Sequence, residues 1–404
     1  MLHSDVDERS VVRASRDGVN PKEERMLMER YRNPEAICLV LLLACTCALS
    51  FGATVASAQE ALIAGHTCTD LDQVPDCWIE RAKLEFMSTY GHTSHGSQIV
   101  TGMNLVYGDG ATNNDSPSCN GYGCTSCLYS FCDDYYYYRY GTGNDPAPPG
   151  TLSFFDQRMA GDLGHNGDLT WANTTRTHLD GYGGSRNLVI WSWCGGVSDN
   201  TEEGINIYLN AMNQLEIDYP GVTFIYMTGH LDGTGETGDL HIFNNQIRDY
   251  CVANGKVLFD FADIESYDPD GDYFLDLGAT DTCNYSGGNW AVEWCAENPE
   301  SELCDACTEC SHSHCLNCNL KGRAFWWMLA RLAGWSGAAD GDGDCDLDVD
   351  LDDYLLFVDC LAGPDTLPAP TLTDEKTCRT VFDFDGDTDV DLADFTAFQD
   401  GFGG

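Results

Sequence analysis

The sequence predicts an α/β fold, a parallel sheet of about five strands between helices, followed by a small all-α domain. Three observations carry this expectation. Across residues 84–335, short apolar runs alternate with helical stretches, the signature of parallel strands joined by crossover helices. Residues 186–196, RNLVIWSWCGG, are apolar almost throughout, as a strand covered on both faces requires. From Ala338 onward the composition changes to alternating aspartates in an internal repeat.

The chain opens on a segment expected to be removed. Residues 37–58, ICLVLLLACTCALSFGATVASA, form an apolar run preceded by Arg30 and Arg32 and closed by Ala56-Ser57-Ala58. This is the layout of a secretory signal with a small-residue cleavage site. The working chain is expected to begin at Gln59 and to be secreted or held at the cell surface, with Met26 or Met28 as alternative starts. A retained single-span anchor is the competing reading. Of 21 cysteines, Cys38, Cys45 and Cys47 fall in the signal, leaving an even number, and export with an even count argues for disulfides. The expected division is 1–58 n-region and signal, 59–336 sheet domain with cysteine-rich insertions, and 337–404 tail.

Within the sheet domain, LEFMSTYG (84–91) reads as the first strand, and Ser97 opens an amphipathic helix. Residues 118–150 combine four cysteines with a run of tyrosines and a Pro/Gly exit. They read as a disulfide-stapled surface loop or as an aromatic platform for sugar rings. After the strand at 186–196, TEEGINIYLNAMNQLEIDYPG reads as a helix with Thr201 as cap and acids in its first turn. Strand 222–233, helix DLHIFNNQIRDYCVANG and strand 256–264 follow. The last element, 319–335, is a helix stopped by Gly334.

Net charge is −45, which repels nucleic acid phosphates and anionic membranes and favours cations. No nucleic acid partner is expected, and no membrane once the signal is cleaved. Between Asp340 and Asp400 the only bases are Lys376 and Arg379, and the repeat DGDCDLDVDLDDYLLF and DFDGDTDVDLADFTAF places alternate aspartates before an apolar helical stretch. A twelve-residue loop with acids at positions 1, 3, 5 and 12 supplies the oxygens that a hard cation wants. The second repeat fits calcium with Asp383, Asp385, Asp387 and Asp394, and with Asp389 through its carbonyl. Counting back from Asp353, the first uses Asp342, Asp344, Asp346 and Asp353, with Asp348 by carbonyl; a two-residue insertion there is an alternative register. This tail resembles a dockerin, or a dockerin-like EF-hand pair, which implies a tether to a protein partner. It departs in having Leu347 and Thr388 where such loops carry glycine, and Leu351-Asp352 and Leu392-Ala393 where dockerins carry small hydroxyl pairs. Cys360 and Cys378 are placed to staple its two halves.

In a doubly wound sheet, chemistry gathers at the carboxyl ends of the strands. Those ends hold GHTSHG (91–96), DLGHNGDLTW (162–171), Cys194-Gly195-Gly196, GHLD (229–232) and CTECSHSHCLNC (307–318). With Ser94 after the first strand, Gly164 or Asn166 in the second loop, Cys194-Gly195 in the third, and Glu309-Cys310-Ser311-His312 before the last helix, the core resembles the SGNH/GDSL hydrolases. That resemblance implies a flavodoxin-like three-layer sandwich and an exported esterase or lipase. It is positional: Thr93 precedes the serine, the third loop lacks Gly-x-Asn-Asp, and the acid is Glu309.

A serine hydroxyl becomes a nucleophile when a histidine takes its proton and an acid orients that histidine. The resemblance implies Ser94 as nucleophile, His312 as base then acid, Glu309 or Asp305 as orienting acid, and an oxyanion hole from the Ser94 amide with Gly164, Asn166 and Gly195. No cofactor is needed for that chemistry, and the implied substrate is an acylated polysaccharide or other acylated extracellular material. Trp191 and Trp193 would wall the pocket or pack in the core.

Other readings use the same residues. Ser94 could cap the following helix, and the cysteines around His312 and His314 could hold zinc or form disulfides. His92, His95, His165, His230 and Asp232 at strand ends, with His314, could hold a catalytic metal that activates water. A non-catalytic, calcium-dependent glycan-binding or surface protein is the third alternative.

Overall fold

The computed structural model describes residues 60–106, 136–138, 152–182, 185–307 and 309–402. The signal run 37–58, and most of the tyrosine-rich insertion with both of its readings, lie outside them. No helix among the described residues is long and apolar enough to cross a membrane.

The chain is α/β, built on one parallel sheet. In chain order its elements are β1 (Leu62–Ala64), α1 (Asp76–Glu85), β2 (Met87–His92), α2 (Ser97–Leu105), β3 (Tyr136–Tyr138), β4 (Leu152–Ala160), α3 (Thr170–Tyr182), β5 (Leu188–Trp191), α4 (Glu202–Asp218), β6 (Thr223–Met227), α5 (Asp239–Ala253), β7 (Val257–Phe259), α6 (Trp290–Glu297) and α7 (Cys315–Ala333). The strand order is β1-β7-β6-β5-β2-β4-β3, with every pair parallel. Helices α1, α2 and α7 pack together, and α3, α4 and α5 pack in series as a second group, so helices flank the sheet in two sets.

The sheet has seven strands rather than about five, because short strands add at both edges: β1 on β7 and β3 on β4. The first expected strand begins later than its apolar letters suggest. Leu84 and Glu85 close α1, where Leu84 is 81% exposed, and the chain turns extended at Phe86. The apolar run 186–196 is strand only over Leu188–Trp191, all four residues buried, and Ser192 onward is loop. The run 256–264 divides in the same way: β7 ends at Phe259, and Asp260 caps a helical turn, Phe261–Ile264, by accepting the Asp263 amide. Thr201 caps α4 as expected, its hydroxyl accepting the Gly204 amide at 3.0 Å.

The tightest packing is where α2 crosses α7. A Cβ on Gly102 would lie 1.7 Å from the Cys318 carbonyl, and one on Gly322 would lie 2.1 Å from the Gly102 carbonyl carbon. Two backbones touch there, so only glycine fits. Gly102→Ala is expected to destabilise by about 1–3 kcal/mol or more through forced separation of the helices. A thermal melt within 1 °C of the parent would show that the crossing yields without strain.

Just past edge strand β1, Asp263 holds His66 by hydrogen bonds. Asp263 Oδ2 accepts the His66 amide at 2.8 Å and lies 2.7 Å from His66 Nδ1, while the His66 ring stacks on Tyr267 at 3.6 Å. Burial alone would raise the Asp263 carboxyl, but the hydrogen bonds from His66 outweigh it and hold it below its usual range. A carboxylate depressed in the folded state stabilises above its unfolded pKa, and that contribution is lost as pH falls through the folded value. Thermal stability is therefore expected to decline below about pH 4. Asp263→Asn should flatten that decline; an unchanged slope would reject the assignment.

The C-terminal segment has its own small core of Phe357, Cys360, Cys378, Val381, Phe382, Val390 and Phe398. It contains α8 (Leu351–Cys360), a short helical passage through Glu375–Thr377 and Cys378–Phe382, and α9 (Leu392–Gly401). Cys360 and Cys378 are disulfide-bonded. The segment is tied to α1 by the Cys77–Cys345 disulfide and by Lys376 donating to Asp76 at 2.6 Å.

Candidate active site and cation loops

The five central strands run β4-β2-β5-β6-β7, so chain order reverses between β2 and β5. In such sheets a crevice opens outside the carboxyl ends at that point. The two loops that follow β2 and β5, residues 93–96 and 192–196, bring together Ser94, His95 and Cys194. Glycines shape both. A Cβ on Gly96 would lie 2.3 Å from Ser192 Oγ, and Gly195 and Gly196 turn at φ +81° and +83°, with open space beside Gly195.

At the centre is a linear relay. Cys194 Sγ lies 3.2 Å from His95 Nδ1, and His95 Nε2 lies 3.0 Å from Asp281 Oδ2. Ser94 Oγ is also 3.2 Å from Cys194 Sγ. Burial alone would raise the Cys194 thiol, but hydrogen bonds from Ser94, Thr93 and His95 outweigh it and bring the thiol down to about 7. For His95, burial works against the charged form, yet its bonds to Asp281 and Cys194 raise it above the usual histidine value. Burial likewise opposes ionisation of Asp281, and the His95 bond overrides it, lowering the carboxyl. The arrangement favours thiolate, imidazolium and carboxylate in sequence, as nucleophilic cysteine catalysis requires. Among the described residues three further free cysteines differ: burial raises Cys68, and pushes Cys251 and Cys283 up to about 12.

Two more imidazoles border the relay. His230 stacks on His95 at 3.6 Å with rings 1° from parallel, and burial lowers its pKa. The His312 ring lies 4.4 Å from that of His95. Beneath them, Lys321 and Glu265 form an ion pair at 2.6 Å, both side chains fully buried. Glu265 Oε2 accepts the Leu231 amide, Lys321 also donates to Gln98, and Gln98 donates to the Ser311 carbonyl. One buried network thus fixes the loops that carry His230 and His312.

The sequence-derived candidates distribute as follows. Ser94 and His312 both reach the relay, but among the described residues no hydrogen bond joins Ser94 to His312 or His312 to Glu309. Glu309 offers its backbone carbonyl to Thr101, and Asp305 donates its amide to Glu302. Gly164 packs against Asp168, and a Cβ on Gly204 would lie 3.2 Å from Asn166 Cα, which puts Asn166 beside the first turn of α4. Gly195 directly follows Cys194.

The strand-end histidines do not form one set. His95 and His230 meet, whereas His92 is buried against Asp156 through Nε2. His165 pairs with Asp199 in an exposed position, and Asp232 accepts from Thr234. His314 caps α7, Nδ1 accepting the Leu316 amide. The surrounding cysteines are bonded as Cys307–Cys315, Cys310–Cys318 and Cys295–Cys304, so they are not thiolate ligands. Trp191 and Trp193 are both 2% exposed, with indole N–H groups donated to Thr175 and the Met227 carbonyl, which makes them core residues.

Sequence reasoning passed over Asp281 altogether and met Cys194 only at a strand end and in the third loop of the resemblance, without a chemical role. The Cys-Gly-Gly turn after an apolar strand was the available signal for Cys194. Asp281, in GATDTCNYSGG, carries no local signal.

In the acidic tail the two loops repeat most of each other's bonds; the Gly386 amide bond to Asp383 is found only in the second. Asp342 accepts the amides of Asp346 and Leu347 at 3.1 and 2.9 Å, and Asp383 accepts those of Asp387 and Thr388 at 3.1 and 2.9 Å. Asp353 Oδ1 accepts the Gly343 amide at 2.7 Å, and Asp394 Oδ1 accepts that of Phe384 at 2.8 Å. Both loops therefore span twelve residues, without an insertion in the first. Leu347 and Thr388 turn at φ +82° and +78°, taking the conformation that glycine usually supplies. Asp346 and Asp387 each accept an amide two residues on, from Asp348 and Asp389. Carboxylate oxygens of Asp342, Asp344 and Asp353, and of Asp383, Asp385 and Asp394, lie within 4.8 Å of one another. Burial, with repulsion from Asp353 and Asp340, raises the Asp342 carboxyl to about 6 against the pull of its amide bonds.

No family model matches this chain, and no curated protein and no solved structure shows significant similarity to it.

Proposed function

We propose that this protein is an exported acyl hydrolase that works through Cys194, with a calcium-binding tail as tether. The observation that carries the reading is the Cys194–His95–Asp281 relay at the point where strand order reverses. The central order, second-first-third-fourth-fifth, is the flavodoxin-like one, which supports a core of SGNH type. Five disulfides among the described residues accord with an oxidising compartment.

In this mechanism His95 Nδ1 holds the thiol proton and Asp281 keeps the ring oriented through Nε2–H. The Cys194 thiolate attacks the ester carbonyl, forming a C–S bond, and the leaving alkoxide takes the proton from Nδ1. Nδ1 then accepts a proton from water, whose hydroxide attacks the thioester. The acid leaves, the thiolate is restored, and His95 is again protonated. The hydroxyl of Ser94 stabilises the thiolate rather than attacking, and glycine at 195 and 196 lets substrate approach the backbone closely.

The substrate class is acylated polysaccharide or related extracellular material, an assignment that rests on the family resemblance and the tail. Calcium suits the tail because each loop gathers three hard carboxylate donors in a twelve-residue turn. Asp342, Asp344, Asp346 and Asp353 would hold one ion and Asp383, Asp385, Asp387 and Asp394 the other, with the carbonyls of Asp348 and Asp389. The two ions order the loops and offset part of the tail's negative charge, and the tail then docks on a protein partner.

The test is hydrolysis of p-nitrophenyl acetate and of acetylated polysaccharide, combined with iodoacetamide labelling at neutral pH. Labelling should fall on Cys194 ahead of Cys68, Cys251 and Cys283 and should abolish turnover. Full activity after stoichiometric alkylation of Cys194 would reject the mechanism.

A further inference from the structure

We propose that His95, Asp281 and His312 form a zinc site that reversibly closes the relay. The three side chains offer one ligand atom each within 4.8 Å of one another. Two imidazoles and one carboxylate, with a position left open, form a donor set that suits Zn²⁺ and ions of similar borderline softness. This set differs from the strand-end histidines considered above: it draws Asp281 from the loop after β7 and His312 from the loop before α7.

His312 has no task in the relay, yet it is held over it. Its backbone sits at φ +62°, a conformation that side-chain-bearing residues rarely adopt. The loop is clamped on both sides by Cys307–Cys315 and Cys310–Cys318, and its carbonyl at Ser311 is fixed by Gln98. Among the described residues its ring makes no hydrogen bond; it faces the His95 ring at 4.4 Å with planes 19° apart. His312 is exposed, so this imidazole, beside the buried His95 and half-buried Asp281, would complete a metal cradle open to solvent.

The chemical consequence follows from which nitrogen is used. Asp281 reaches His95 through Nε2, so zinc entering there displaces the proton between them and takes both as ligands, with His312 third. Nδ1 then stays protonated and donates to the Cys194 sulfur. It no longer cycles its proton to a leaving group or accepts one from water, so turnover stops until the ion leaves. The net charge of −45 draws cations towards the protein. The inhibition rests on the cysteine-hydrolase reading; the binding does not.

The experiment measures binding apart from activity. Full-length protein, saturated with calcium so that the tail loops are filled, is titrated with zinc against a chromogenic chelator. One equivalent should bind with micromolar affinity or tighter. His312→Ala and Asp281→Asn should each weaken it by about tenfold or more, and Cys194→Ala should leave it within about threefold. Near-ultraviolet circular dichroism checks that each variant remains folded. No zinc bound, binding indifferent to His312→Ala, or binding lost with Cys194→Ala would overturn the site. If zinc binds as stated while ester hydrolysis continues, the inhibitory role falls and the site stands. If the parent proves inactive on esters, the affinities still decide the site.

Discussion

Cys194→Ala is expected to lower ester hydrolysis by about a thousandfold or more, roughly 4 kcal/mol of lost transition-state stabilisation, with the fold intact. The size follows from the role. A nucleophile is not replaced by its neighbours, and what remains is the contribution of binding and charge stabilisation alone. Ser94→Ala is expected to cost about tenfold, the loss of one hydrogen bond to a charged sulfur. These two variants decide between the readings that the site admits. If Ser94→Ala removes activity and Cys194→Ala leaves most of it, the serine is the nucleophile and the thiol its neighbour. Assays on protein of verified disulfide content keep misfolding from imitating either outcome.

The second large effect is on the tail. Removing calcium with EDTA is expected to lower the melting temperature of the C-terminal segment by about 10 °C or more, with restoration by calcium and not by equal magnesium. Without an ion, each loop holds three carboxylates within 4.8 Å, and burial with repulsion from Asp353 and Asp340 raises the Asp342 carboxyl. The small core around Phe357 and Phe398 then has to hold that repulsion in check by itself. Asp353→Asn and Asp394→Asn, which remove the acid at the twelfth position of each loop, should reproduce much of the loss. A melting profile unmoved by EDTA would reject calcium as the tail's structural ion.

Much of the architecture was legible from residue pattern. The apolar centres of β5 and β6, the Thr201 cap and the Gly334 stop depend on neighbours a few positions away, and short-range pattern reports them. Strand limits were less legible, because apolar letters continue past the last ladder bond: Ser192–Gly196 and Phe261–Ile264 look like strand and are loop and helical turn. The edge strands were hidden for another reason. Leu62–Ala64 is three residues long, too short to show a period, and exists because β7 offers a parallel edge.

For the site, sequence alone directed attention to the loops that carry Ser94, His95, Cys194 and His312, and it did not pair His95 with Cys194 or Asp281. The repeat of aspartates, the acidity of the tail and the spacing of the second loop were legible in sequence, since every donor lies within a few residues of the next, whereas the register of the first loop was settled by its hydrogen bonds. The grouping of Cys194, His95 and Asp281 was decided only by tertiary structure. His95 reaches its partners across 99 and 186 residues of chain. No periodicity spans such intervals. The reversal of strand order between β2 and β5 sets their two following loops side by side, and the buried Lys321–Glu265 network holds the loops that carry His230 and His312. The thiol there is brought down to about 7 by what surrounds it, and composition and spacing carry no record of those surroundings.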